Sequence, residues 1–173
     1  MIMKHVYKIK IANEWKNFRL IFLVCFIFII FSPITFYYRN PDSNFWDYAH
    51  YFVLGFLIFL IFQSIIHLRY DSINKGMEMI YDDIAKSIVI KNTKEGMTSE
   101  FFLGDIKQIL HVSTPAFAEK RMYWFPWDSY NYSDIFLKDG RMFRITSLMV
   151  YRLELPVGDR YEVIKRLYPY PSS

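Results

Sequence analysis

Side chains with catalytic potential are few in this sequence, and they are scattered. No metal-ligand spacing links the four histidines, which stand at His5, His50, His67 and His111. Asp82 and Asp83 are adjacent, but consecutive residues of a strand or tight turn point apart, which favours a solvated turn over a general acid–base pair. The sequence has neither a glycine-rich phosphate loop nor a Gly-x-Ser-x-Gly motif. We therefore expect a non-enzymatic protein that needs no metal ion or cofactor.

One segment, residues 115–132, does concentrate side chains that are typical of binding surfaces. It reads PAFAEKRMYWFPWDSYNY and holds two of the four tryptophans. Tryptophan, tyrosine and arginine are enriched in binding hot spots because they bury a large area at low entropic cost. The candidate partner-binding residues are Lys120, Arg121, Tyr123, Trp124, Phe125 and Trp127.

Three interpretations of this aromatic segment are open. It is a lid over the domain's own core, a docking surface for a protein partner, or a contact with the inner leaflet of a membrane. In the last case the rings lie at headgroup depth, and Lys120 and Arg121 lie near anionic lipid. Substitution of Trp124 separates the first two, since losing a core ring lowers expression and losing a surface ring abolishes partner recovery instead.

Two long apolar runs precede this segment. Leu20–Tyr38 has 19 residues without a formal charge, and Tyr48–Leu68 is a second uncharged run. A bilayer core about 30 Å thick needs about 20 apolar residues in a helix. The short, turn-rich stretch 39–47 joins the two runs. The sequence therefore predicts a membrane α-helical hairpin over residues 20–69.

Charge predicts the orientation of this hairpin. The formal net charge is +4, and residues 1–19 carry five Lys or Arg against one Glu, whereas residues 70–173 carry fourteen charges of each sign. Positive charge collects on the cytoplasmic side of membrane proteins. We expect residues 1–19 to be a basic cytoplasmic flank, with both termini cytoplasmic in a bacterial inner membrane. Because the basic excess lies outside the folded domain, nucleic-acid binding is not expected.

Residues 70–173 change to short runs that are typical of strands. The predicted strands are Met77–Tyr81, Ser87–Lys91, Ser99–Leu103, Ile106–Thr114, Tyr130–Leu137, Met142–Thr146 and Leu148–Leu153. Asp139-Gly140 predicts a tight hairpin, since glycine tolerates positive φ. An apolar stripe predicts a C-terminal helix, and its members are Tyr161, Val163, Ile164 and Leu167. We expect an α+β, mostly β domain of about seven strands, closed as a small barrel or sandwich.

Short stretches of this domain resemble segments of the pleckstrin-homology-like (PH-like) fold. They are Phe102-Leu-Gly-Asp105-Ile106-Lys-Gln-Ile109, Ile135-Phe-Leu-Lys-Asp-Gly140 and Phe143-Arg-Ile145-Thr. Two N-terminal transmembrane helices before such a domain resemble bacterial membrane proteins with a C-terminal PH-like domain, including the YcxB-like group. The resemblance implies seven strands followed by one amphipathic helix.

Eukaryotic PH domains that hold phosphoinositides place Lys and Arg around their first hairpin. Here we assign that position to the turn 81–85, which contains Asp82 and Asp83. An acidic turn repels an anionic headgroup, so phosphoinositide binding is not expected at this position.

These features together favour a membrane-anchored, non-enzymatic interaction or scaffold module that presents a PH-like domain at the inner membrane surface. Its expected partners are the lipid bilayer and a protein. An alternative is an accessory subunit of a larger membrane transport complex, contacted through Gln63 and Ser64, although packing within the hairpin or a dimer is favoured for these two residues. A further alternative, an inner-membrane immunity or stress protein, fits the small size.

Overall fold

The computed structural model describes residues 4–9, 11–39, 44 and 46–171. This part of the chain contains eight strands, two long α-helices and one short α-helix. In chain order they are β1 (Lys4–Lys8), α1 (Ile11–Arg39), α2 (Trp46–Asn74), β2 (Met77–Asp82), β3 (Ser87–Asn92), β4 (Met97–Phe102), β5 (Ile106–Ser113), α3 (Pro115–Ala118), β6 (Asn131–Leu137), β7 (Met142–Thr146) and β8 (Tyr161–Lys165).

Two four-stranded sheets enclose one hydrophobic core. The first sheet has the order β1-β2-β3-β4 and the second has the order β7-β6-β5-β8. Strand β8 runs parallel to β5, and the other neighbours are antiparallel. The segment after β7 forms no strand, and its apolar side chains close the core. Buried core residues from the two sheets and this segment include Met79, Ile88, Ile90, Phe101, Ile109, Ile135, Ile145, Met149 and Leu153.

The two long helices form an insertion between paired strands. Strand β1 pairs with β2, from Lys4 opposite Asp82 to Lys8 opposite Glu78, and both helices lie between these strands in the chain. Gly76 makes the sharp exit from α2 with φ of +81°, and a Cβ there would lie 2.9 Å from the Thr93 side chain. Only glycine fits this position without strain.

The C-terminal half of α2 packs on the outer face of the second sheet. A second cluster of buried side chains forms there, separate from the core between the sheets. Its members are Ile66 and Tyr70 from α2, and Val112, Tyr130, Tyr132 and Leu148 from the sheet and its flank. The Tyr70 hydroxyl donates to the Pro169 carbonyl at 2.7 Å, which ties the C-terminal segment to the same helix.

Asn74, the last residue of α2, fixes the end of the helix to β7. Its Nδ2 donates to the Arg144 carbonyl at 2.9 Å, and its Oδ1 accepts from the Thr146 N–H at 2.7 Å. Asn74 and Thr146 are both fully buried. One side chain therefore satisfies two backbone groups that the sheet itself leaves without a partner.

Six of the seven predicted strands are confirmed, with ends shifted by at most two residues. The predicted hairpin after β6 is also confirmed, because Gly140 has a φ of +92° and the Leu137 N–H donates to the Arg141 carbonyl at 2.9 Å. Short-range turn chemistry and alternating patterns were sufficient for these elements.

The predicted C-terminal helix is wrong, since Tyr161–Lys165 forms strand β8. The adjacent β-branched residues Val163 and Ile164 favour a strand, and the open edge of β5 supplies backbone partners for it. Leu167, the last member of the expected apolar stripe, is 75% exposed. The strand predicted over Leu148–Leu153 is also absent, because this buried apolar run turns back after β7 and fills the core.

Strand β1 was not predicted, because its residues were assigned to the basic flank 1–19. Its presence changes the numbering of the hairpins. The acidic turn at Asp82 and Asp83 joins β2 to β3, so it belongs to the second hairpin and not to the first. The connection of the first hairpin holds the two long helices instead.

One segment among the described residues, Val53–Asn74, is long and apolar enough to cross a membrane, and 17% of its most apolar 18-residue stretch is buried. Of the predicted connection 39–47, residues 40–43 and 45 lie outside the described residues.

Replacing Asn74 tests whether its side chain holds α2 on the sheet. Asn74→Ala leaves the Thr146 N–H and the Arg144 carbonyl buried without partners, so we expect the free energy of unfolding to fall by about 2–4 kcal/mol. Chemical unfolding measures the change. Lys75→Ala, at the exposed neighbouring position, is the control and should change stability by less than about 0.5 kcal/mol. Equal stability of the two variants would contradict this role of Asn74.

Candidate functional site

The aromatic segment lies between β5 and β6 and begins with the short helix α3. Thr114 caps this helix, with its Oγ1 accepting from the Phe117 N–H at 3.2 Å, and Pro115 occupies the first helical position. The helix ends in a Schellman motif: the Arg121 N–H donates to the Ala116 carbonyl at 2.9 Å. Lys120 occupies the left-handed position of this motif with a φ of +54°.

Asp128 organises the second half of the segment. Its Oδ2 accepts from the backbone N–H groups of Trp124 and Phe125, each at 2.8 Å. Asp128 is buried, and its carbonyl accepts from the Thr114 hydroxyl at 3.2 Å. This arrangement closes a turn whose backbone is fixed from inside the domain.

Two of the predicted site residues, Tyr123 and Trp127, are packed against the protein. The Trp127 Nε1–H donates to the Leu167 carbonyl at 2.9 Å. Four rings lie with centroids 5.0–6.2 Å from that of Trp127, namely Phe125, Tyr168, Phe59 and Phe62. The Tyr123 hydroxyl lies 3.1 Å from that of Tyr151, and burial together with this contact raises the pKa of Tyr123, so that the phenol stays neutral.

Two rings of the segment, those of Trp124 and Phe125, and the side chain of Met122 are exposed, whereas the rings of Phe117, Tyr130 and Tyr132 are buried. Trp124 is 74% exposed, Phe125 is 42% exposed and Met122 is 70% exposed. We call these three residues the exposed patch. Tyr123 and Trp127 therefore pack within the chain, whereas Trp124 lies outside the core. The prediction that the segment binds a partner stays a prediction.

The exposed patch is continuous with the apolar surface of α2. Phe125 stacks on Trp127 with centroids 5.0 Å apart, and Trp127 stacks on Phe59 at 6.1 Å. Tyr168 joins the same group, since its hydroxyl donates to the Phe62 carbonyl at 2.8 Å. The segment is thus attached to the helix at the level of residues 59–62.

Lys120 and Arg121 border a cleft of about 250 Å³. The cleft is lined by Phe117, Lys120, Arg121, Tyr123, Tyr151 and Arg152. Sequence reasoning missed Tyr151 and Arg152, which lie about thirty residues further along the chain in the run predicted as a strand. The turn after β7 brings them against α3, and the Arg152 guanidinium lies 5.0 Å from the Phe117 ring centroid.

His111 lies in a neighbouring cavity of about 160 Å³ that also contacts Arg152. The imidazole is 2% exposed, and its Nδ1 lies 2.9 Å from the Ser133 hydroxyl. Nε2 is buried and has no hydrogen-bond partner among the described residues. Burial, followed by the positive charge of Arg152, lowers the pKa of His111 to about 4, so the ring is neutral near pH 7.

The four histidines lie on three different elements, β1, α2 and β5. Within the described ranges, no three His, Cys, Asp or Glu side chains are grouped as metal ligands.

Gln63, which was expected to pack within the hairpin or to contact another membrane protein, is fully buried inside the chain. Its Nε2 donates to the Asn17 carbonyl of α1 at 3.0 Å. The contact joins the two long helices, as the packing interpretation expects. Ser64 beside it is half-buried.

Two four-stranded sheets around one core define the domain as a small, mostly β fold. The chain belongs to the PH domain family, whose model matches residues 6–155. The match starts in β1 and extends past β7, so it includes both inserted helices. No curated protein matches the chain.

The neutral, buried His111 predicts a pH-dependent stability. Between pH 6.5 and 4 the unfolded chain takes up a proton at this ring and the folded chain does not, so the free energy of unfolding falls as the pH falls through this window. The expected loss is about 2–3 kcal/mol. Chemical unfolding at several pH values measures it.

His111→Gln should flatten the pH dependence in that window, whereas His5→Gln, at an exposed position of β1, should retain it. A wild-type slope that persists in His111→Gln would show that other groups cause it.

Proposed function

We propose that this protein is a membrane-anchored, non-enzymatic interaction module. In this proposal α1 and α2 cross a bacterial inner membrane as a hairpin, and the PH-like domain lies on its cytoplasmic face with both termini. The exposed patch contacts a protein partner at the boundary between membrane and cytoplasm.

The surface of the long helices supports the anchoring. Both carry large apolar side chains that the rest of the chain leaves uncovered, among them Phe26, Phe31, Leu54, Leu57 and Ile61. An exposed apolar area of this extent is not stable in water, and lipid is its natural solvent. The 29 residues of α2 span about 44 Å, which exceeds a bilayer core of about 30 Å and leaves a cytoplasmic end for packing on the domain.

The pairing of β1 with β2 is the main observation that supports the proposal of a membrane hairpin. The chain leaves the first sheet after β1, passes through both helices, and returns to the neighbouring strand of the same sheet. If α2 crosses the membrane, then α1 must cross it as well, because β1 and β2 are on the same side. The basic flank 1–19, which contains β1 and the start of α1, supports the cytoplasm as that side.

The tryptophans of the helices fit this arrangement. Trp15 is 60% exposed near Asn17, whose carbonyl contacts Gln63, and Trp46 is 75% exposed at the opposite end of α2. Tryptophan is enriched at both membrane–water interfaces. The stretch from Trp46 to Gln63 then corresponds to the apolar interior, and Trp127 beside Phe59 and Phe62 lies near the cytoplasmic interface.

The exposed patch supports the choice of the partner surface. Its backbone is held by Asp128, so Trp124 can bind without first ordering a loop, which reduces the entropic cost of association. An aromatic anchor on a rigid turn is typical of a binding hot spot. The alternative of a transport accessory subunit has less support, because Gln63 is used within the chain.

Labelling of introduced cysteines tests the topology. In a Cys25→Ala background, we expect the thiol introduced by Asn44→Cys to react with a membrane-impermeant maleimide on intact spheroplasts. The thiol introduced by Glu95→Cys, in the exposed turn between β3 and β4, should react only after permeabilisation. Equal labelling of both positions in intact spheroplasts would contradict the hairpin.

Affinity capture from gently solubilised membranes tests the partner surface. Trp124→Ala should weaken recovery of a stoichiometric protein by at least about tenfold, as truncation of a hot-spot tryptophan does. Since Trp124 is largely exposed, the melting temperature should stay near that of the wild type.

Phe102→Ala is the matched control, because this aromatic ring on the first sheet is 55% exposed. It should leave recovery unchanged. Trp127→Ala is unsuitable for this test, since its ring contacts α2 and its loss destabilises the fold. Full recovery of the partner protein with Trp124→Ala would show that the exposed patch is not the partner surface.

A further inference from the structure

We propose that β4 pairs with β4 of a second copy of this chain, which joins the two four-stranded first sheets into one continuous sheet. The contact does not depend on the membrane topology proposed above, and it uses residues other than those of the exposed patch. Three features of the first sheet support it: the open edge of β4, the charges beside that edge, and an apolar groove next to it.

Among the sheet edges that the structure describes, β4 has the least protection. Strand β1 carries two lysines, β8 carries two charged residues, and the end of α2 covers β7 through the side chain of Asn74. Strand β4 has a single charge, at Glu100, and contains neither a proline nor a bulge. Natural sheets normally protect their edges by these devices, because a free edge pairs with another strand.

Alternate residues of β4 present free backbone groups at this edge. The Leu103 N–H donates to the Lys86 carbonyl at 2.9 Å, and every second residue pair of an antiparallel ladder is hydrogen-bonded. The same alternation bonds Ser99 to β3, whereas Thr98 and Glu100 direct their N–H and C=O groups outward. No partner for these four groups lies among the described residues. A second extended strand satisfies all four.

An antiparallel pair of β4 strands is self-complementary in one register. When Ser99 lies opposite the partner's Ser99, Thr98 lies opposite the partner's Glu100, and the outward groups of both strands exchange hydrogen bonds. The pairs then run from Met97 opposite the partner's Phe101 to Phe101 opposite the partner's Met97. No two like charges are opposite each other, so nothing in the strand opposes this register.

Charge complementarity favours the same register. On the outer face of the first sheet, Lys8, Glu78 and Lys91 are neighbours on β1, β2 and β3 and alternate in sign. Thr98 of β4 follows Lys91, and the partner's Glu100 comes next. Lys91 and that carboxylate are two strand spacings apart, about 10 Å between Cα atoms, which their long side chains bridge over Thr98. In the described part of the chain, neither Lys91 nor Glu100 forms an ion pair.

A groove of about 330 Å³ opens beside β4, between this strand and β7, which belong to different sheets. Its walls include Met77, Met97 and Met142, and Met97 is 58% exposed. Methionine is common at protein-binding surfaces because its flexible thioether adapts to a partner. Ser99, at the two-fold axis of the pair, also lines the groove. The second copy therefore covers this end of the groove and removes Met97 from water.

Disulfide cross-linking in native membranes tests the register. In a Cys25→Ala background, Ser99→Cys should form an intermolecular disulfide on mild oxidation. The Cα atoms of a directly opposed pair without hydrogen bonds are about 4.5 Å apart, which a disulfide can span. Glu95→Cys, in the exposed turn before β4, is the control. In this register it lies about 25 Å from the partner's Glu95 position, so it should not cross-link.

An exchange of charges tests the contact without removing backbone hydrogen bonds. Sedimentation equilibrium of the full chain in neutral detergent measures the dissociation constant of the dimer. Glu100→Lys should weaken the dimer about tenfold, because it places like charges together twice across the two-fold axis, and Lys91→Glu should do the same. The variant that combines both substitutions restores opposite charges and should recover the wild-type association.

Thr98→Pro removes one outward N–H of β4. Proline is tolerated at such an edge position, so the circular dichroism spectrum should stay that of the wild type while the dimer dissociates.

Three results would overturn the proposal. A wild type that is monomeric at every concentration tested excludes self-association. A dimer that Thr98→Pro and both single charge variants leave unchanged uses another surface. A disulfide from Ser99→Cys to a different protein, in place of a second copy, assigns the edge of β4 to that protein.

Discussion

The packing of α2 on the outer face of the second sheet is the contact on which the rest of the structure depends. A sheet with one face on a core and the other face covered by a helix buries apolar residues on both sides, which is why Tyr130 and Tyr132 are buried on the face opposite the main core. Asn74 adds two buried hydrogen bonds at the end of this contact. The helix that carries the apolar surface is therefore part of the domain and is not a separate anchor.

This contact also determines where the aromatic segment lies. The Trp127 ring packs between Phe125 of the segment and Phe59 of α2. Its indole N–H donates to the carbonyl of Leu167, which follows β8. Asp128 then directs the backbone of Trp124 and Phe125 away from the core. The same short sequence thus has two tryptophans with opposite roles, one that packs and one that is exposed. Their spacing of three residues across a turn allows this separation.

Much of the fold could be predicted from the sequence, because it depends on local patterns. The apolar runs, the alternating strands and the Asp139-Gly140 turn all contain their own signal. Strand β1 and strand β8 could not be found in this way, since each is short and depends on a partner strand far away in the chain, β2 or β5. The apolar stripe in residues 161–167 led to a helix prediction, because a run as short as the five residues of β8 fits the helical pattern as well as the strand pattern.

The side chains of the candidate site show the same limit: those close in sequence could be predicted, and those brought in from a distant part of the chain could not. Lys120, Arg121 and the aromatic residues are neighbours in sequence, so their cluster could be recognised. Arg152 could not, because it reaches the cleft only after the chain turns back over the core. Lys75 and Gly76 are the sole connection between α2 and β2, so there is no linker about which the domain could swing. A rigid attachment of this kind gives the cleft and the exposed patch one fixed height relative to α2. Binding at that height therefore costs no ordering of a flexible linker.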